Sequence, residues 1–416
     1  MYRDALVEGT FDPGNELVAL CDSNASRLAL AAAPVPDRNG TAVGRYDADD
    51  FERMIAERRP DVVIVTTPDY VHDVYIARAL RAGCDVITEK PMTIDLARLK
   101  GIVDAQRETG RSVTVTFNYR YIPAHTQLKD ILLTGAIGEI TAVDFRWYLD
   151  RVHGADYFRR WHRQKDKSGG LLVHKATHHF DLVNWWVASH PDTISALGSR
   201  RFYVPSTAEA LGLSGHGERC HTCPVGALCP YRLDVEGDPE LKSLYLDAEQ
   251  ADGYIRDRCI FSSEITIEDT MQVQVGYANG VSMNYTLCAY SPWEGYEIVF
   301  YGTDGELNHR HVGVHGIFGG TRHEADDSAT TTNLHRHGEE PRQAEVWSGE
   351  GDHGGGDPVM LDQLLNPAAS DDPYGRRASE VDGAWSILTG IASNVSIERG
   401  QTVKVDELLR QSDIRL

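Results

Sequence analysis

The sequence holds no apolar run near the roughly 20 residues that a membrane-spanning helix requires, and no such helix is expected. Its opening residues, MYRDALVEGTF, carry neither a basic stretch nor an apolar segment, so no signal peptide is expected either. Positive charge is scarce: 41 Lys and Arg stand against 62 Asp and Glu, a formal net charge of −21. Nucleic acids and anionic membrane surfaces are bound by clustered cations, so neither is expected as a partner. A small neutral ligand is not excluded, because a local site can differ from the global field. Cysteine is sparse as well; 7 in 416 residues cannot build a disulfide scaffold. What remains is a soluble cytoplasmic globular protein, with 41% hydrophobic and 25% charged residues and length enough for two domains.

The first third alternates apolar runs with helical stripes. Glu16-Leu17-Val18-Ala19-Leu20-Cys21-Asp22 is a short run ending in an acid. Phe51, Met54 and Ile55 then follow the i, i+3, i+4 spacing of a helix face. Asp61-Val62-Val63-Ile64-Val65-Thr66 is the β-branched run of a strand buried on both faces. A helix is expected from about Asp69 to Ala82, stopped by Gly83, then a strand at Asp85-Val86-Ile87-Thr88. Leu96, Leu99, Ile102 and Val103 mark a further helix ended by Gly110, and Ser112–Phe117 a further strand. Strands separated by helices of this length imply βαβ units and a parallel, Rossmann-like α/β sheet over residues 1–122.

The second domain is expected over residues 123–416. From about residue 139 the period becomes two: Val143, Phe145 and Trp147 alternate, as do Met271, Val273, Val275 and Tyr277. Ala278-Asn279-Gly280-Val281 follows, before Met283, Tyr285 and Leu287, and an Asn-Gly pair between alternating runs signals a hairpin. The result is a largely antiparallel α+β sheet with one face buried, flanked by helices near His178–Val187 and from about Ala378 to Arg399. The C-terminal helix is expected to pack back on the first domain, and the open sheet face makes a homo-oligomer the expectation. Residues 205–265 look like an insertion holding clustered cysteines. Residues 310–356, rich in Gly, His and Thr, predict a long surface loop.

A dinucleotide fold places an acid at a strand end, about 20 residues after a GxGxxG fingerprint, where it accepts from the adenosine ribose. Asp22 stands at such a strand end, yet counting back from it reaches Met1 and no GxGxxG precedes it. Tyr2–Glu8 then corresponds to the rest of the first helix, with the first strand and phosphate-binding turn upstream of Met1. Either the start was placed inside the true reading frame, or the protein has lost the motif. The absent strand is central in this topology, so the parallel sheet is expected to be open and dinucleotide binding to be poor. If Asp22 contacts ribose, NAD is favoured over NADP, because a carboxylate repels a 2′-phosphate; otherwise Asp22 is only a polar strand end.

Cys220-His221-Thr222-Cys223, Cys229-Pro230 and Cys259 give C-x2-C-x5-C with a distant fourth thiol. This spacing predicts a structural zinc site closed by Cys259, stapling the insertion. Free thiols, a disulfide and an iron–sulfur cluster are the alternatives. Cys21, Cys84 and Cys288 lie in or beside apolar runs and are expected to be buried and inert.

Three segments carry a family resemblance: Thr67-Pro68-Asp69-Tyr70-Val71-His72 after a buried strand, Glu89-Lys90-Pro91 directly after the next, and Gly169-Gly170-Leu171-Leu172-Val173-His174-Lys175-Ala176-Thr177-His178-His179-Phe180-Asp181 opening a helix. Asn118-Tyr119-Arg120-Tyr121 and Gly390-Ile391-Ala392-Ser393-Asn394 add to it. With these segments the chain resembles the Gfo/Idh/MocA oxidoreductases, nicotinamide-dependent dehydrogenases of sugars and related polyols, over nearly its whole length. The resemblance implies a cofactor edge of Asp22, Thr67, Pro68, His72, Glu89, Lys90 and Asn118. It also implies that Lys90 reaches the substrate hydroxyl and that His178 stands at the acid/base position.

The sequence departs from the family where Asp usually stands four residues before the histidine; here it is His174, followed by Lys175. On one helix i and i+4 share a face, so His174 and His178 are expected to be neighbours. The base is then His178 with altered tuning, or Lys90, or Lys175 with its pKa lowered by crowded cations. Tyr119, Arg120, His179, Asp181 and His353 are candidate substrate contacts, each with a bland alternative in packing, capping or loop solvation; Trp185-Trp186 reads as core. The expected function is oxidation of a secondary ring hydroxyl of a sugar, glycoside or cyclitol with NAD. A catalytically silent binding or regulatory protein on the same fold is the alternative, because the fingerprint is missing. A third alternative keeps the pocket but uses a tightly held cofactor or a metal for another reaction.

Overall fold

The computed structural model describes residues 1–11, 14–36, 42–318 and 321–416, with Asp327 described by its backbone alone. Among these, no helix is long and apolar enough to cross a membrane.

Three parallel strands, Val62–Val65, Asp85–Thr88 and Val113–Val115, lie side by side in that order. Their β-branched residues suit a sheet covered on both faces. The helices His72–Arg81 and Leu96–Thr109 connect them; the second is capped by Asp95, whose carboxylate accepts from the Arg98 N–H, and stops at Gly110 with φ 63°. A late strand, Ala378–Ser379, joins the same sheet antiparallel to Val113–Val115, tying the end of the chain to this domain.

Ala19–Cys21 and Gly44–Tyr46 form a separate parallel pair. Among the described residues no strand joins the two sheets, and Val62 at the open edge is 42% exposed. The parallel strands among the described residues thus fall into two separate sheets. Leu6 and Val7 of the helix Tyr2–Glu8 line a cavity of about 210 Å³ together with Leu17, Val18 and Val35.

The second sheet has ten strands among the described residues. From one edge they run Arg342–Ala344, Thr331–Arg336, Gly305–Phe318, Glu294–Gly302, Ile140–Asp150, Ser282–Ser291, Thr270–Tyr277, Pro191–Ser199 and Val403–Lys404, with Thr321–Glu324 paired to Gly305–Phe318. Every pair is antiparallel except Ile140–Asp150 with Ser282–Ser291, whose long connection carries the helices around His174 and the insertion. Met271, Val273, Val275 and Tyr277 are buried while Gln272 and Gln274 are exposed, the alternation of a one-sided sheet. The hairpin at Asn279-Gly280 forms, with Gly280 at φ 89°. Helices Thr177–Val187 and Glu380–Arg399 pack together over this sheet.

Residues 310–356 correct the expectation of a long loop: much of the stretch is strand, broken by turns and irregular segments at about 325–330, 337–341 and 345–352. Val312 and Val314 are buried, whereas Thr321–Glu324 is exposed throughout and lacks the alternation that a buried face imposes. Gly319 and Gly320 lie outside the described residues. The insertion, residues 205–265, is built of short helices and turns and docks on the first domain. Asn24 donates to the Ala248 carbonyl at 3.1 Å, and Arg27 pairs with Asp252.

Candidate active site

The carboxyl ends of the parallel strands converge on one edge, where open α/β sheets bind ligands. Val62–Val65 leads to Thr67 and Pro68, and Asp85–Thr88 leads to Glu89 and the cis Lys90–Pro91 bond. His72, 1% exposed, stitches these loops together, with Nδ1 2.9 Å from the Pro91 oxygen and Nε2 2.7 Å from the Thr67 oxygen. Its two nitrogens are thereby occupied, which makes it a structural tie. Glu89 accepts from the Tyr2 hydroxyl at 2.8 Å, and Asn118 Nδ2 donates to Asp357 Oδ1 at 2.7 Å.

Thr67 Oγ1 and Asn118 Oδ1 are buried and have no protein partner among the described residues. Orphaned polar atoms at this edge fit the carboxamide and ribose of a nicotinamide, which would satisfy them. The opposite end fits less well. Asp22 Oδ1 accepts the Asn24 N–H at 2.7 Å, as a turn-forming acid does.

Gly169 and Gly170, at φ 67° and 74°, turn the chain into the short helix Leu171–His174. A Cβ on Gly390 would lie 2.3 Å from the Leu172 oxygen, so that glycine lets the late helix press against this turn. The helix is interrupted at Lys175-Ala176 and resumes as Thr177–Val187. His174 and His178 therefore do not share one continuous helical face, contrary to the i, i+4 expectation. His174 Nδ1 lies 2.5 Å from Asp69 Oδ2, whereas His178 stacks on Tyr119 at 4.0 Å between centroids.

Burial, and then the Lys90 charge, pushes the pKa of His174 and of His178 well below the ordinary histidine value. Burial likewise lowers the pKa of Lys90, against the attraction of Asp69 and Glu89. Lys175 corrects another expectation. Burial works against its charge, but Tyr119 and Tyr157 outweigh that and its pKa is raised, opposite to the lowering expected from crowded cations; its Nζ donates to the Tyr119 hydroxyl at 3.1 Å.

Three expected substrate contacts are engaged elsewhere. Arg120 and Asp181 hold each other through two hydrogen bonds, 2.8 and 2.6 Å, and Arg120 also reaches Asp382 at 3.0 Å. Both are buried, so the pair is internal architecture beneath the site. His179 is 0% exposed, stacks on Trp147 and places Nδ1 2.6 Å from the Tyr285 hydroxyl; it is core. Trp185 and Trp186 are buried too, as expected. His353 borders the site, with its ring 6.2 Å from that of Tyr119 and Nδ1 2.9 Å from Asp357 Oδ2. Asp69 and Asp357 had no role assigned from sequence. Nothing in the spacing marks Asp69, whose partner His174 lies 105 residues along the chain, whereas Asp357 stands four residues after His353, a spacing that could have paired them.

Cys220, Cys223, Cys229 and Cys259 line one small cavity with His216. Each of three sulfurs has its own protein neighbour: Cys220 the Arg159 guanidinium at 3.8 Å, Cys223 the Gly217 N–H at 3.3 Å, and Cys259 His216 Nδ1 at 3.4 Å. Among the described residues no three His, Cys, Asp or Glu side chains are assembled to hold a metal ion. The expected zinc site is thus not found; sequence spacing does not place the sulfur of a cysteine 30 residues further on. All seven cysteines are free thiols; Cys84 is buried, whereas Cys21 and Cys288 are only half-buried.

Residues 5–117 match the model of the NAD-binding Rossmann fold of the GFO_IDH_MocA oxidoreductase family, and residues 129–405 match that family's C-terminal alpha/beta domain. YteT of Bacillus subtilis (strain 168), named as an oxidoreductase, is 34% identical over 426 residues, covering 100% of this chain and 96% of the relative. The D-glucoside 3-dehydrogenase of Escherichia coli (strain K12) is 28% identical over 48% of this chain and 54% of its own length. An inositol 2-dehydrogenase of Rubrobacter xylanophilus is 27% identical over 45% of this chain and 49% of its own length. Among solved structures, levoglucosan dehydrogenase in complex with NADH and L-sorbose shares the fold, with TM-score 0.66 at 16% identity over 97% of this chain and 94% of that one. The aldose-aldose oxidoreductase of Caulobacter crescentus does so with TM-score 0.60 at 16% identity over 94% and 91%. The chain belongs to the Gfo/Idh/MocA family of oxidoreductases.

Proposed function

We propose that this protein is a dehydrogenase that oxidises a secondary ring hydroxyl of a sugar, glycoside or cyclitol with NAD. The observation that carries this reading is that the turn after one parallel strand meets the head of the second-domain helices, with Asp69 Oδ2 2.5 Å from His174 Nδ1 and Lys90 just after the neighbouring strand. Lys90 would hold the alcohol oxygen and stabilise its developing negative charge, and a neutral imidazole would take the O–H proton. A bound oxidised nicotinamide supplies the hydride acceptor. Asp22 supports NAD over NADP, since its carboxylate repels a 2′-phosphate. The names of the glucoside and inositol dehydrogenases among the relatives support a ring hydroxyl.

A homo-oligomer is part of the same proposal. One face of the ten-stranded sheet alternates exposed residues with buried ones, and Leu197 stands 73% exposed. A monomer by analytical ultracentrifugation would remove that part.

The test of function is titration of the purified chain with NADH, followed by assay with NAD and a panel of cyclitols and methyl glycosides. Saturable NADH binding and growth of reduced-nicotinamide absorbance are expected. His174, standing where the family usually has Asp, favours a second reading, a catalytically silent binding or regulatory protein. Absence of turnover across the panel would support that reading and reject the dehydrogenase.

A further inference from the structure

Asp69 and His174 come from different domains and meet in the interior. Asp69 opens the turn Asp69–Val71 after a strand of the parallel sheet, and His174 closes the short helix Leu171–His174. Oδ2 and Nδ1 are 2.5 Å apart, and the two residues are 4% and 9% exposed. The rings of His162, Tyr157 and Trp161 enclose the imidazole at centroid distances of 4.1, 5.7 and 5.7 Å. Neither His174 nor His178 has a protein partner at Nε2 among the described residues; they differ at Nδ1, which Asp69 holds in His174 and which is buried without a partner in His178.

That arrangement has a chemical meaning. A carboxylate on Nδ1 fixes the tautomer whose lone pair is on Nε2, and it stabilises the imidazolium formed when Nε2 takes a proton. His178 has no such support. Its Nδ1 is buried without a partner, and Lys90 and Lys175 oppose a positive charge on it. We infer that His174, oriented by Asp69, is the proton acceptor of the reaction, and that Asp69 supplies from the first domain the carboxylate the helix head lacks. The inference rests on the dehydrogenase reading above. The alcohol O–H bond breaks with its proton passing to His174 Nε2, the C–H bond breaks with its hydrogen and electron pair passing to oxidised nicotinamide, and a ketone forms. Release of the Nε2 proton to solvent resets the residue. Asp69 is a positioning residue, and His174 touches the substrate.

The pH dependence belongs to a group of charges. His174 is faced by Lys90 and Arg160 from the loops beside it, by Lys175 next to it, and by His72 and His162. The cations depress its proton affinity; the Asp69 carboxyl, hydrogen-bonded to Nδ1, opposes them in its ionised form, and burial pushes its own pKa up to about 7. Asp69→Asn removes that opposition, so the acid limb of the kcat/KM profile should move to lower pH by about one unit. His174→Gln should lose about 100-fold or more in kcat.

Two measurements on the full chain test the idea. Nitrogen-15 NMR of labelled histidine, assigned with His174→Gln, should show a proton on Nδ1 of His174 in a strong hydrogen bond, weakened in Asp69→Asn. Kinetics of the wild type and both variants, each checked for native circular dichroism, give the second. Wild-type turnover with an unshifted acid limb in Asp69→Asn, or with full activity in His174→Gln, overturns this assignment and leaves the dehydrogenase standing. An Nδ1 without a proton overturns it as well. No wild-type turnover on any substrate rejects the function beneath it.

Discussion

The Tyr119 ring lies parallel to the His178 imidazole, 4.0 Å between centroids and 13° between planes, while its hydroxyl accepts a hydrogen bond from Lys175. One phenol thereby holds a histidine by its face and a lysine by its edge. Such a stack is worth about 0.5–1.5 kcal/mol, at most about tenfold in rate. Tyr119→Leu is expected to lower kcat by up to that factor, while Tyr119→Phe keeps the stack and loses less. Equal losses in the two variants would place the hydroxyl, not the ring face, in control. Steady-state kinetics checks it.

Lys90→Met removes a cation that lowers the pKa of both candidate histidines. The expected loss is about 100-fold or more in kcat, with unchanged circular dichroism. Normal turnover by reduced-nicotinamide absorbance would reject the assigned site.

Asp181→Asn leaves the Arg120 guanidinium buried with only the partly exposed Asp382 as a carboxylate partner. Breaking a buried pair on one side costs about 3–5 kcal/mol, so urea denaturation should show a loss of that order. Replacing both by apolar residues, Arg120→Met with Asp181→Leu, should recover much of it.

Glu294 sets an acid sensitivity. Burial works to raise its pKa, but the hydrogen bond and charge of His153 and the Asp150 N–H outweigh that and hold it at about 2. A depressed folded value means that the stabilisation is complete above the ordinary value of 4.5 and is lost as pH falls toward 2. The amount is about 3 kcal/mol. Glu294→Gln should lower stability at neutral pH and flatten the fall below pH 4.5 in denaturation measured across that window.

Local chemistry made much of this molecule legible. The run Val62–Val65 and the stripe of Leu99, Ile102 and Val103 become strand and helix because period and β-branching act within a few residues. Lys90 could be placed directly after a strand. The strand Thr321–Glu324 was illegible because it is exposed throughout and imposes no alternation.

The sequence by itself determined which residues sit on which element, since propensity and periodicity are properties of neighbours along the chain. Only the tertiary structure decided which side chains answer each other. Asp69 meets His174 across 105 residues and Arg120 meets Asp181 across 61. The same packing withdrew His179, Arg120 and Asp181 into the interior and left the four cysteines around a cavity wall without assembling a metal site. Contacts of that span depend on how sheets and helices seat against one another, and no local pattern encodes the seat.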